Sequence, residues 1–284
     1  MKTTQSTPFL LGSVLTLAIS ATSPLQAAFN YEVSGFQEQI VGSETNVLTS
    51  GSSANYDSNT SVNDFAVFDM QAVDTSNGSV TDFADLKVTY RADNGGVGSD
   101  IMIAQTTNSQ GLEDSATISI LVDIGNGSGG TVDIEFEWYE PGSFSGGIEQ
   151  SGATTKTTQV KYTSLDIDFV QLNRVKTTEM ESATLFDSGL DTTQLTAVDN
   201  GTTITVTDDG ADSEFGDPTT AVQFLSKSGL SSHTITMGKQ STGGPALFML
   251  EFRDPSQIVP EPSSLGFIFG LVGLAAVGLR RRIR

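Results

Sequence analysis

TVDIEFEW, residues 131–138, alternates without a break. Val132, Ile134, Phe136 and Trp138 fall on one side, and Asp133, Glu135 and Glu137 on the other. That period of two belongs to a half-buried β-strand with one dry and one wet face. The same alternation recurs in YTSLDIDFV (162–170), where Leu165, Ile167 and Phe169 point inward and Asp166 and Asp168 outward. TTITVTDDG (202–210) sets Ile204 and Val206 against Thr203, Thr205 and Thr207. Further strands are predicted at 65–73, 86–90, 116–123, 221–225, 233–237 and 246–252. Asn77-Gly78, Asn126-Gly127, Asn200-Gly201 and Asp209-Gly210 supply the positive-φ residues of tight hairpins. The glycine pairs at 95–96, 129–130, 146–147 and 243–244 read as looser loops, and 41–61 as one long polar loop. No interior segment has a convincing helical period, although short turns near 178–182 fit. Many short strands with frequent turns indicate a sandwich or a barrel. The expectation is all-β: one antiparallel β-sandwich, jelly-roll-like, over residues 28–254, its outer faces carrying Thr, Ser, Asp and Glu.

Charge narrows the partners. Nine of the 14 basic residues and 33 of the 34 acidic ones lie between Ala28 and Val259, a formal charge of about −24. Such a field repels nucleic acid and anionic lipid and attracts divalent cations. Nucleic-acid binding is excluded on that ground. The chain has no cysteine, which removes thiolate nucleophiles, Cys-ligated zinc and iron–sulfur clusters. Its single histidine, His233, rules out a multi-His metal site within one chain.

The two ends differ from this acidic middle. Residues 1–27 read as a secretory signal peptide: Lys2, an apolar run from about Phe9 to Ile19, and small residues that allow cleavage after Ala27 or Ala28. Residues 255–262 form a linker that ends in Pro260-Glu261-Pro262. Residues 263–284 hold 15 apolar or glycine residues, Leu265 to Leu279, then Arg280, Arg281, Arg282 and Arg284. As a helix that run reaches about 22 Å, short of a hydrocarbon core about 30 Å thick. Snorkelling arginine stems make it workable as a single transmembrane helix. The arginines place its C-terminal end in the cytoplasm, and the signal peptide sends the domain the other way.

The tail VPEPSSLGFIFGLVGLAAVGLRRR resembles the PEP-CTERM sorting signal of exported Gram-negative proteins in its motif, apolar span and arginine cluster. The resemblance implies that Pro260, Glu261 and Pro262 are recognised by exosortase, a membrane transpeptidase. It implies that Arg280, Arg281 and Arg282 retain the precursor in the inner membrane until the tail is removed. The domain would then pass to the cell surface or extracellular matrix, where such proteins accompany exopolysaccharide and biofilm. Two prolines keep the motif extended and accessible to a processing enzyme. YTSLDIDF and PALFMLEFRDP also look like the jelly-roll sandwiches common ahead of such tails.

Chemistry inside the domain is sparse. DDGADSEFGD (208–217) offers Asp208, Asp209, Asp212, Glu214 and Asp217; with Asp166 and Asp168 they form a candidate structural Ca²⁺ site, against the reading of a solvated acidic loop. EFEWYE (135–140) resembles the Glu-x-Asp-x-x-Glu motif of a jelly-roll glycoside hydrolase family. Here Glu replaces the central Asp, strict alternation turns Glu140 away from Glu135, and Pro141 ends the strand. His233 is expected at the surface, near a strand end. The favoured function is therefore a non-enzymatic surface or matrix protein. A carbohydrate-binding module is the second reading, to be supported by exposed aromatics such as Tyr139, Phe144 or Tyr162; a hydrolase is the third.

Overall fold

The structure, a computed structural model, describes residues 29–38, 40–41, 44–45, 62–94, 101–105, 117–124, 129–165, 167, 170–185, 193–208, 218–241 and 244–255. The strands run β1 Phe29–Glu38, β2 Ile40–Val41, β3 Glu44–Thr45, β4 Phe65–Asp74, β5 Val80–Asp93 and β6 Ile101–Gln105. They continue as β7 Thr117–Ile124, β8 Gly130–Tyr139, β9 Phe144–Ser145, β10 Ile148–Glu149, β11 Lys161–Leu165 and β12 Gln171–Lys176. The last six are β13 Met180–Leu185, β14 Leu195–Asp199, β15 Thr203–Asp208, β16 Val222–Ser226, β17 Ser232–Lys239 and β18 Gly244–Arg253. One 3₁₀ turn, Pro218–Thr220, is the helical element among the described residues.

Two separately bonded sheets are what a sandwich predicts. The hydrogen bonds instead run through one antiparallel sheet of 14 strands, in the order β13-β16-β11-β18-β1-β4-β5-β8-β17-β12-β15-β14, with β7 and β6 branching from β18. The branch explains the shape. On one edge β18 pairs with β11 from Met249 to Arg253. On the other it pairs with β7 as far as Glu251, and then with β1 through Phe252↔Tyr31 and Arg253↔Asn30. Strand β1 leaves there for a second layer, so the sheet doubles over and faces itself. The end strands β13 and β14 approach each other on the far side, leaving a flattened, nearly closed barrel.

Burial follows the alternation. Val132, Ile134 and Phe136 are 0 % exposed and Trp138 1 %, while Asp133, Glu135 and Glu137 are half-buried on the outside. Rings from the two layers interlock across the interior: Phe252 on β18 meets Phe136 and Trp138 on β8 at 6.1 and 5.5 Å between centroids. Ile204 and Val206 are buried as the alternation requires. The strand expected over YTSLDIDFV is shorter and opposite in phase: β11 stops at Leu165, its fully buried side chains are Tyr162 and Ser164 while Leu165 is half-buried, and Val170 sits at φ 60°, a costly conformation for a β-branched residue. Asn200-Gly201 closes the β14–β15 hairpin, with Gly201 at φ 86° and the Asn200 Oδ1 accepting the Thr202 and Thr203 amides. Gly146-Gly147, expected to be a loose loop, is the two-residue turn of the β9–β10 hairpin, both glycines at positive φ. That twist matches the flanking strands.

The segment 140–155 folds back over the outer face of β4, β5 and β8. Phe144 packs edge-on against Tyr139 and, with Val67, makes a small second core. Asp85 anchors it: Oδ2 accepts the Phe144 amide at 2.9 Å and Oδ1 the Gly142 amide at 3.3 Å. Burial pushes the Asp85 carboxyl up from its ordinary range, against the pull of those amides.

Candidate functional site

The domain hands over to the tail at the end of β18. The Asp254 amide donates to the Phe29 carbonyl at 3.0 Å, so the start of β1 and the residue that follows β18 are hydrogen-bonded neighbours. Tyr31 donates its hydroxyl to Asp254 at 3.5 Å, and burial beside that carboxylate holds the phenol in its neutral form. Tyr31 in turn stacks on Phe83 at 3.9 Å. A hydrogen-bonded belt closes this pole of the barrel. The Thr177 amide reaches the Thr202 carbonyl, the Lys227 amide the Glu179 carbonyl, and the Thr158 amide the Leu230 carbonyl. The residues expected to direct sorting, Pro260, Glu261, Pro262, Arg280, Arg281 and Arg282, lie outside the described residues, as does the segment 1–27 expected to be a signal peptide. Among the described residues no helix is long and apolar enough to cross a membrane.

Of the candidate calcium ligands only Asp208 is described. Its carboxylate is buried, and Oδ2 accepts the Val170 amide at 3.3 Å, which ties the end of β15 to the turn before β12. Asp166, Asp168, Asp209, Asp212, Glu214 and Asp217 lie outside the described residues. Among the described residues no three acidic or histidine side chains gather closely enough to hold a metal.

The carboxylates of EFEWYE are occupied. Glu135 pairs with the Arg91 Nε, Glu137 with Arg91 and Lys87 at 3.3 Å each, and Glu140 with Lys156 at 3.3 Å. Asp133, next along that face, accepts from Asn94 and Thr236. These are structural pairings on an outer sheet face. The aromatics that would support sugar stacking are inside: Tyr139, Phe144 and Tyr162 are all buried. The exposed large hydrophobic side chains among the described residues, Val62, Val80, Ile148 and Val198, are aliphatic.

His233 corrects an expectation. It is 3 % exposed, not at the surface, and lies between the rings of Phe136 at 5.2 Å and Tyr162 at 5.3 Å, nearly parallel to both. Its Nε2 has no hydrogen-bond partner among the described residues. Burial pushes its pKa down to about 3, so at neutral pH it is an uncharged ring in a stack. Its inward position follows from the register, since it faces Phe136 across the β8–β17 ladder. A polar clasp also crosses the core: Asn173 Nδ2 on β12 donates to Ser164 Oγ on β11 at 2.7 Å, both side chains fully buried.

Comparison with known proteins separates the domain from its tail. No curated protein matches the chain. Among solved structures, the N-terminal domain of a Streptococcus gordonii adhesin is similar at a TM-score of 0.37 and 11 % identity, over 70 % of this chain and 53 % of that one. The chain thus spans about half the length of that structure, and a likeness this weak carries no functional argument. Residues 259–282 match the PEP-CTERM protein-sorting motif. That motif implies an exported protein processed at the membrane by exosortase. Four residues after Pro255, where the described fold ends, this chain carries a PEP-CTERM protein-sorting motif.

Proposed function

We propose that this chain is a non-enzymatic surface or extracellular-matrix protein, delivered through its sorting tail and associated with exopolysaccharide or biofilm. The observation that carries the reading is the motif at 259–282, set directly behind a nearly closed all-β domain. The precursor is held in the inner membrane by Leu265–Leu279 and the arginines behind them, until exosortase removes the tail near Pro260-Glu261-Pro262. Two features of the domain favour a passive cargo. The glutamates of its most enzyme-like stretch are committed to Arg91, Lys87 and Lys156. The aromatics that would stack on a sugar are in its cores. A structural Ca²⁺ at the acidic segment beginning at Asp208 belongs to the same reading, and a thermal melt with and without a chelator tests it: a lower melting temperature on chelation supports the ion, and an unchanged one removes it.

Intact mass of the protein from cells with and without exosortase tests the main proposal. A tail-less form in wild-type cells and an intact tail in the deletion strain is the expected pair. Secreted wild-type protein still carrying its tail to Arg284 overturns it.

A further inference from the structure

The anchored precursor has a fixed way up. We propose that the pole of the barrel where Phe29 and Asp254 meet is its membrane-facing surface, turned toward anionic lipid headgroups, while the opposite pole points away. The inference rests on the membrane-anchored reading of the tail and deepens it.

Reach is the first argument. From Asp254 to Leu265, where the apolar run begins, there are 11 residues. Fully extended they span at most about 39 Å, and as a flexible chain about 19 Å. The barrel is comparable to the longer figure, since the ten residues of β18 alone cover about 33 Å from pole to pole before any connecting loops. A tether leaving one pole would have to travel the outside of the barrel to bring the other pole to the bilayer. At its flexible length it falls well short of that path, and only a fully stretched tether, held against its own entropy, would approach it.

Charge is the second, independent argument. Five of the nine basic residues of the domain lie at the exit pole, Lys156, Lys161, Lys176, Lys227 and Arg253, where Lys156, Lys176 and Arg253 offset Glu140, Glu179 and Glu251 in ion pairs. Lys161 and Lys176 begin and end strands there, and Arg253 closes β18. Lys227 sits in the β16–β17 connection, whose Leu230 carbonyl is held by Thr158 beside Lys156. At the opposite pole the strand ends supply one basic residue, Lys239. The sequence of the segments joining strands at that pole (39–64, 94–100, 125–129, 166–170, 186–194, 209–221 and 240–243) holds twelve acidic residues and no basic one, whereas that of the segments at the exit pole (75–79, 106–116, 140–160, 177–179, 200–202 and 227–231) holds five acidic and two basic. Both poles are net acidic, but an anionic bilayer within a Debye length repels the second more than the first, so electrostatics and tether length select the same orientation.

The absence of cysteine makes a clean test. Ser228 at the exit pole and Ser241 at the opposite pole are both exposed. Each is changed singly, Ser228→Cys or Ser241→Cys, in precursor purified from cells lacking exosortase, labelled with a fluorophore, and reconstituted into phosphatidylglycerol–phosphatidylethanolamine vesicles carrying a headgroup quencher. The expected result is quenching several-fold stronger at position 228 than at 241, lost at 228 when the precursor is cut free of its tail. Equal quenching, or stronger quenching at 241, in protein that co-floats with the vesicles overturns the orientation while leaving the anchor intact. Protein that fails to co-float overturns the anchored reading, and the orientation with it.

Discussion

The two faces of β8 are built on different terms. Inside, Phe136 and Trp138 touch rings from three other strands and are cut off from water. Outside, Glu135 and Glu137 share one arginine and one lysine at partial exposure. The energetic weight of the two faces differs by several-fold. Burial of aromatic surface is worth kilocalories per residue. Exposed ion pairs contribute up to about 1 kcal/mol and are screened by salt. The inner face therefore specifies the fold, and the outer one keeps a highly acidic protein soluble and its sheet from self-repulsion.

The largest effect is expected from Trp138→Ala, which empties the junction of β5, β8 and β18 and should cost about 3–5 kcal/mol in urea unfolding. A cost near that of an outer-face change would break the contrast. Next comes His233. Its folded pKa is depressed, so the unfolded chain takes up a proton that the native state refuses. Stability is thus lost as pH falls below the unfolded value of about 6.5, continuing toward the folded value of about 3. Between pH 7.5 and 5 the loss is about 2 kcal/mol, read as the difference between the wild-type pH profile and that of His233→Phe. Matching profiles would remove the buried-imidazole account. Asp85→Ala sharpens the contrast from the outer side, because its carboxylate is covered by the 140–155 segment. It should cost about 1–3 kcal/mol and expose that segment to limited proteolysis. The smallest effect belongs to Arg91→Ala, under about 1 kcal/mol and shrinking further in 0.5 M salt.

Legibility in the sequence followed the same division. Strands with a clean apolar face, β4, β7, β8, β15, β16, β17 and β18, could be read from alternation alone. Strand β12 could not, because its inward positions are Gln171, Asn173 and Val175. Two of those three are polar, and the clasp that gives the Asn173 amide nitrogen a partner in Ser164 is a pairing between strands. No one-dimensional pattern contains it. Strand β14 is an edge with four of its five residues exposed, so burial had imposed no period on it. Strand β1 carries a register shift between Val33 and Gly35 that moves its apolar residues to a new phase. The usual polarity of histidine points His233 to the surface, whereas its register neighbour Phe136 is the better guide to its inward position. The sorting tail was legible for the opposite reason: its information is linear, a motif, an apolar run and a charge cluster in fixed order.

The bond between Asp254 and Phe29 also sets a clock. Tyr31 and Asp254 are 223 residues apart in the chain, and β18 is the strand to which β1, β7 and β11 are all stitched. A polypeptide threading outward N-terminus first cannot assemble this barrel until nearly its whole length has emerged, since its keystone arrives last. Folding then follows in an enforced sequence: an exported chain stays a loose thread until the final strand locks it, and the sorting motif at 259–282 comes directly behind that strand.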